Sequence, residues 1–284
     1  MSAKQAVSVR AGTPPVCVFS KHLQFITDFA ELGKTCRSLG LDGIDLTVRR
    51  GGHILPENAE KALPEAVKAI RGEGVEVSMI TTNLNDGADP DVRGILGTAS
   101  SLGIRYFRIG GLKYASEGNP LDQLPGFVLQ LGALAEVAAQ YGMTAGYHNH
   151  SGYDYVAAPL WDLEQILASI GSDHIGSNFD SGHATVEGGY GAWRMNARMM
   201  APRVKMMAVK DFVWGDDRPQ WVPLGTGRVA TVEFLKIFRK AGFAGPISLH
   251  FEYGLPSPEA VLDEVRQSVP VLRDAMSKAG YRVQ

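Results

Sequence analysis

Two hydrophobic periods alternate along this chain. Runs of four to six mainly apolar residues, several of them β-branched, occur at Pro15–Phe19, Gly43–Val48, Val75–Ile80, Tyr106–Ile109, the stretch from Met143 into Gly146-Tyr147-His148, Ile175–Phe179, Val204–Val209 and Pro246–Phe251. Such runs bounded by turn residues predict strands. Between them apolar residues recur every three or four positions, as at Phe25, Phe29, Leu32 and Cys36. This spacing predicts helices over Phe25–Leu39, Pro56–Arg71, Asp91–Leu102, Leu121–Tyr141, Trp161–Ile170, Trp193–Met200, Thr231–Ala241 and Pro258–Ala279. Gly40, Gly72, Gly103, Gly142 and Gly280 stand where helices end. No linker or compositional shift interrupts the alternation.

Strands alternating with helices imply parallel pairing through right-handed crossovers. Eight units in 284 residues fit one closed (β/α)8 TIM barrel, a single domain over 1–284 with 1–13 as an N-terminal tail. A doubly wound sheet is the competing architecture. It lacks support at the first turn, where Ser20-Lys21-His22 stands in place of a glycine-rich phosphate loop.

Chemistry in such a barrel gathers at the carboxyl ends of the strands, and polar residues collect there. His148 and His150 lie two apart on the fifth strand and share a face. The sixth strand delivers Asp180, followed by Ser181-Gly182-His183, a carboxylate and an imidazole across a glycine turn that suit a divalent cation or a hydroxylated ligand. The alternative is that Asp180 caps the turn. Glu252 ends the apolar run Ile247–Phe251, where an unpaired carboxylate is costly to bury. Lys210 shares a strand face with Ala208 and points into the mouth as an acid, base or electrostatic clamp; the alternative is a surface pair with Asp211. His22, Arg108, His150, His183 and Trp214 are read as substrate contacts. Trp214 and Trp221 fit either a sugar-stacking platform or a loop anchor, and Leu224-Gly225-Thr226-Gly227 reads as a structural turn.

Composition narrows the partners. The chain is 45% hydrophobic and 20% charged with a net charge of −2, and without a basic run nucleic acid is a poor partner. Cys17 and Cys36 read as buried reduced thiols. No apolar stretch reaches the roughly 18 residues of a membrane span. Met1-Ser-Ala-Lys-Gln-Ala-Val lacks the apolar core of a signal peptide, which reads as cytoplasmic; a chain with its leader removed reads the same.

The run Asp180-Ser-Gly-His183, the Lys210-Asp211 pair, Leu224-Gly-Thr-Gly227 and the terminal Phe251-Glu252 resemble the sugar phosphate isomerase/epimerase superfamily of xylose isomerase-like TIM barrels over nearly the whole chain. The resemblance implies one or more divalent metals at the barrel mouth, of manganese, magnesium, cobalt or zinc type. Asp180 resembles the strand-six ligand, Glu252 the strand-eight ligand, and His183 the histidine that contacts substrate or a second metal. Two positions depart from the family pattern. His148 stands where a glutamate is usual, and Ala208 stands where a metal-binding histidine is usual. The expected ligands are therefore His148, Asp180 and Glu252, with open positions left for substrate.

The resemblance implies a carbohydrate isomerase or epimerase in which Glu252 and His148 oppose each other across the substrate, and the strand-face reading adds Lys210 to the catalytic residues. A proton α to a carbonyl is removed and an enediolate is stabilised by metal. Loss of a β-oxygen from a 3-keto sugar or inosose is the alternative, and replacement of a base glutamate by His148 tilts toward it. A non-catalytic sugar-binding barrel, motivated by Ala208, is the third reading. Abasic-site endonucleases share the fold but need more histidines and a basic surface. The expected partner is a small sugar or keto-sugar, with neither membrane nor nucleic acid; assembly into a homo-oligomer is left open.

Overall fold

The computed structural model describes residues 12–283; most of the expected tail, 1–13, lies outside them. Eight parallel strands close into a barrel: β1 (Val16–Phe19), β2 (Gly43–Thr47), β3 (Glu76–Thr81), β4 (Tyr106–Arg108), β5 (Thr144–His148), β6 (Ile175–Asp180), β7 (Val204–Val209) and β10 (Ile247–Leu249). The strand order β1-β10-β7-β6-β5-β4-β3-β2 runs in sequence around the ring, and β10 closes it against β1 with Val16 level with Ile247.

Helices α1 (Phe29–Ser38), α2 (Ala59–Gly72), α3 (Val92–Ser101), α4 (Pro120–Gln140), α5 (Trp161–Ile170), α7 (Ala192–Met200), α8 (Thr231–Lys240) and α9 (Pro258–Lys278) follow the successive strands. Their apolar stripes, such as Leu32 and Cys36 on α1 or Phe234 and Phe238 on α8, are buried against the barrel. Cys17 and Cys36 are both buried free thiols. Among the described residues no helix is long and apolar enough to cross a membrane.

Inside the ring the packing is close. A Cβ built on Gly146 would meet Met206 Cε at 2.0 Å and Asn178 Cβ at 3.1 Å, so only glycine leaves Met206 room to fill the interior.

Two elements were not expected. The turn after Asp180 is a helix, α6 (Ser181–Gly188), that starts with no intervening loop. The segment after β7 forms an antiparallel hairpin of β8 (Asp211–Trp214) and β9 (Pro219–Val222), with Phe212 opposite Trp221. Asp211 anchors that hairpin: its carboxylate accepts the backbone N–H groups of Phe212 (2.9 Å), Gly225 (3.0 Å), Gly227 (2.9 Å) and Val229 (2.9 Å). The Leu224–Gly227 turn is thus structural, and Asp211 is committed to it rather than to Lys210.

Candidate active site

Residues at the carboxyl ends of β5, β6, β7 and β10 converge on the barrel axis, because alternate residues of each strand face inward. Asp180 is fixed from two directions. Its Oδ1 accepts the His183 N–H at 2.8 Å as the N-cap of α6, and its backbone is clamped by Asn149, whose Oδ1 accepts the Asp180 N–H at 2.8 Å and whose Nδ2 donates to the Asp180 carbonyl at 3.1 Å. Capping therefore uses only one carboxylate oxygen. Oδ2 faces the axis, 3.1 Å from Lys210 Nζ without a hydrogen-bonding angle and 3.5 Å from His148 Nε2.

Lys210 is 2% exposed and points inward. Its Nζ lies 2.6 Å from His183 Nε2, donates to Glu252 Oε1, and sits 4.4 Å from the centre of the Trp221 ring. His183 is held on its other side by Ser151 Oγ, 2.8 Å from Nδ1, and its Nε2 is also 3.3 Å from Glu252 Oε1. A Cβ at Gly182 would meet Lys210 Cγ at 2.6 Å and Trp221 at 3.0 Å, so the lysine stem and the indole close over a bare backbone. Burial by itself pushes the Glu252 carboxyl up, but the bond to His183 and the Lys210 ammonium outweigh it and hold the group well below the usual carboxylate range. A third of the Glu252 side chain, 34%, still reaches solvent.

The residues expected as metal ligands, His148, Asp180 and Glu252, fall into different surroundings. Glu252 belongs to the lysine cluster. His148 and Asp180 are joined by His250, two residues before Glu252 on the same inward-facing register. Ligand atoms of His148, Asp180 and His250 lie within 4.8 Å of one another. Each contributes a buried polar atom with no hydrogen-bond partner: His148 Nδ1, Asp180 Oδ2 and His250 Nε2. Orphaned atoms of this kind are rare in folded proteins, and two imidazoles with a carboxylate are a donor set suited to a divalent transition metal. Burial, then the charge of Arg108, drives both imidazoles well below the ordinary histidine range, so they are neutral as ligands must be. His148, His150 and His183 form a second compact group, but both nitrogens of His183 are already engaged.

The remaining expected contacts divide. His150 lies on the mouth side of His148, ring centres 4.7 Å apart, and stacks on Tyr155; burial lowers it to about 3. His22 accepts the Phe251 N–H at Nε2 (3.0 Å) and so positions the loop carrying Glu252. Arg108 extends into the mouth with its guanidinium 5.3 Å from the Phe19 ring centre. Trp214 is 47% exposed and packs edge-on against Phe212. Its hairpin partner Trp221 is the indole beside His183 and Lys210. His250, Asn149 and Ser151 were not singled out from the sequence. Each lies within two residues of one that was, and the inward parity shared by His250 and Glu252 was the available signal.

A closed parallel barrel with this constellation at its carboxyl-terminal mouth defines the class as a TIM barrel with a polar, cation-competent centre. The model of the xylose isomerase-like TIM barrel family matches residues 34–274, and the chain belongs to that family, as the resemblance implied. Solved structures agree in fold. A xylose isomerase-like TIM barrel protein from Mycobacterium smegmatis, in complex with magnesium, is 17% identical with a TM-score of 0.71 over 93% of this chain and 98% of that one. D-psicose 3-epimerase with D-tagatose from Clostridium cellulolyticum H10 is 11% identical, with a TM-score of 0.72 over 92% and 99%. The probable 3-DHS dehydratase from Bacillus anthracis is 14% identical, with a TM-score of 0.69 over 89% and 97%. Among curated proteins none matches the chain in sequence.

Proposed function

We propose that this barrel is a divalent-metal-dependent enzyme that removes a proton from the carbon next to the carbonyl of a sugar or keto-sugar and returns it, giving isomerisation or epimerisation. The observation that carries the reading is the Lys210–His183–Glu252 triangle beside Asp180 and the neutral imidazoles of His148 and His250. Glu252 is ionised and still reaches the open mouth, which places it within reach of substrate as a base. The pairing with His183 and Lys210 that keeps it ionised weakens it as a proton acceptor until those bonds are exchanged for substrate. His183 Nε2 serves as acceptor toward the ammonium or donor toward the carboxylate according to its protonation state. A proton taken by Glu252 can therefore pass to His183, when its Nε2 is the acceptor, without movement of the chain. Lys210 adds a fixed positive charge and a proton donor where oxygen charge develops, and Trp221 shields that pair from water.

His148, Asp180 and His250 are the residues that would hold the metal, and nitrogen-rich ligation favours a transition metal such as zinc or cobalt over magnesium. When bound, such an ion supplies Lewis-acid stabilisation of the developing enediolate. In this reading Glu252 is the base rather than a ligand, and His148 is a ligand rather than the opposed base. Similarity to an epimerase and to a probable dehydratase supports carbohydrate chemistry without choosing between them.

A second reading, β-elimination, is favoured by one feature. The catalytic carboxylate has an ammonium beside it, a ready acid for a departing oxygen. Solvent deuterium uptake by a panel of ketoses, inososes and 3-keto glycosides, with added Mn²⁺, Mg²⁺ or Co²⁺, tests both. Deuterium at the α-carbon of recovered sugar supports isomerisation or epimerisation, and an unsaturated product supports elimination. No exchange and no product from any member would remove the proposal.

A further inference from the structure

The other half of the mouth, at the ends of β1, β2 and β4, carries two arginines that the mechanism above does not use. Arg49, just past β2, and Arg108, the last residue of β4, hold their guanidinium carbons 5.5 Å and 5.3 Å from the centre of the same Phe19 ring. The next neighbour of that ring is His250, stacked on it at 4.6 Å. Both arginines are half-buried. Among the described residues neither side chain makes a hydrogen bond or has a carboxylate within 4.0 Å, and Arg49 Nε is fully buried without a partner. On the outer surface the contrast is plain: Arg71, Arg203 and Arg273 pair with Glu76, Glu164 and Asp42.

The carboxylate that acts most strongly on this pair, Asp45, is fully buried and already committed. Its Oδ1 accepts from Thr81 Oγ1 at 2.7 Å and its Oδ2 from Ser248 Oγ at 3.0 Å. It attracts the arginines through space without bonding to them. The contacts with Phe19 are made by the guanidinium carbons and occupy none of the N–H donors in a hydrogen bond. Guanidinium groups stay charged at neutral pH and present a rigid fork of donors matched to oxyanions. Unpaired charge is expensive in a partly desolvated site unless a counter-ion arrives.

We infer that Arg49 and Arg108 form a subsite for an oxyanion, a carboxylate or phosphate carried on the far end of the substrate, so that the enzyme acts on anionic keto-sugars in preference to neutral ones. This rests on the enolisation reading for the identity of the substrate backbone, and on the arginine geometry alone for its charge. Phe19 stacks on His250 and touches both arginines, so a chain whose carbonyl faces His148, Asp180 and His250 can run across Phe19 to the guanidinium groups. The binding energy of that end then fixes the orientation of the reacting carbon.

The test uses three ketoses that differ only at C6: D-fructose, D-fructuronate and D-fructose 6-phosphate. Each is measured for kcat/KM of deuterium exchange and for the rise in Tm that it causes, in the intact protein and in Arg49→Gln, Arg108→Gln and Arg108→Lys. One charged ketose is expected to exceed fructose by about 100-fold in kcat/KM, and Arg108→Gln to collapse that charged-to-neutral ratio by about 10- to 100-fold, the worth of charge-assisted bonds. Arg108→Lys keeps the charge but not the fork and should recover only part of the ratio. Preference for fructuronate assigns a carboxylate, and preference for the 6-phosphate assigns a phosphomonoester. The inference is overturned if charged and neutral ketoses give the same Tm shift, none included, and the same kcat/KM ratio in every variant. If a charged ketose raises Tm through Arg108 but no ketose exchanges deuterium, the enolisation reading fails and the subsite stands.

Discussion

Replacing Lys210 by methionine tests the centre of the site without needing a substrate. The methionine fills most of the volume of the lysine stem, so packing against Gly182 and Trp221 survives and the main loss is the charge. Asp180 is 0% exposed, and its Oδ2 then keeps the neutral His148 beside it, with the charge of Arg108 acting only through space. Glu252, a third exposed, can turn to water and adds little to the cost. Breaking a buried ion pair by removing one partner costs about 3–5 kcal/mol. At about 2–4 °C per kcal/mol for a chain of this order, Tm in the presence of chelator should fall by about 6–20 °C. The deficit should then be met by a divalent cation. At about 100 times its Kd an ion stabilises the fold by about 2.7 kcal/mol, and Mn²⁺ or Zn²⁺ should raise the Tm of Lys210→Met more than that of the parent, because the ammonium no longer competes for Asp180. Calorimetric or circular-dichroism melts with and without metal measure both terms. A loss below about 1 kcal/mol, or equal metal shifts in the two proteins, would refute the view that Lys210 neutralises Asp180.

Glu252→Gln should lower deuterium exchange by about 10²-fold or more, the usual worth of a general base, while elemental analysis finds as much bound metal as in the parent; loss of the metal instead would return Glu252 to the ligand set. His250→Ala should do the reverse and strip the metal, as measured by equilibrium dialysis against Zn²⁺. Asp211→Asn turns one acceptor oxygen toward backbone N–H groups as a donor and should cost about 2–4 kcal/mol, read as a fall in Tm of about 4–16 °C. Burial lowers His22 to about 4, so between that value and the unfolded 6.5 only the unfolded chain takes up the proton. Stability from His22 is complete above pH 6.5 and is lost as pH falls toward 4, at about 1.4 kcal/mol per pH unit. His22→Gln should remove that increment from the slope of unfolding free energy against pH in metal-free protein.

The architecture was legible in the sequence because its determinants are local. Apolar runs at Val16–Phe19 or Val204–Val209 and three-to-four spacing in Leu32 and Cys36 report which backbone period buries them. Parity along a strand likewise announces that His148, Asp180 and Lys210 face the axis at its carboxyl end. Parity does not report depth or neighbours. His250 and Glu252 face the same way, and only the register of β10 on β7, with Leu249 level with Val209 and the His250 N–H bonded to the Val209 carbonyl, brings His250 level with His148 and Asp180 and leaves Glu252 to Lys210. Trp214 and Trp221 read alike in the chain; the hairpin register that sets Phe212 opposite Trp221 turns one indole to His183 and leaves the other half in solvent. Arg49 and Arg108 lie 59 residues apart in the chain and share Phe19 only because β1, β2 and β4 curve around one closed ring. These contacts depend on the closure and stagger of the barrel, which the whole set of strands determines jointly and no single segment encodes.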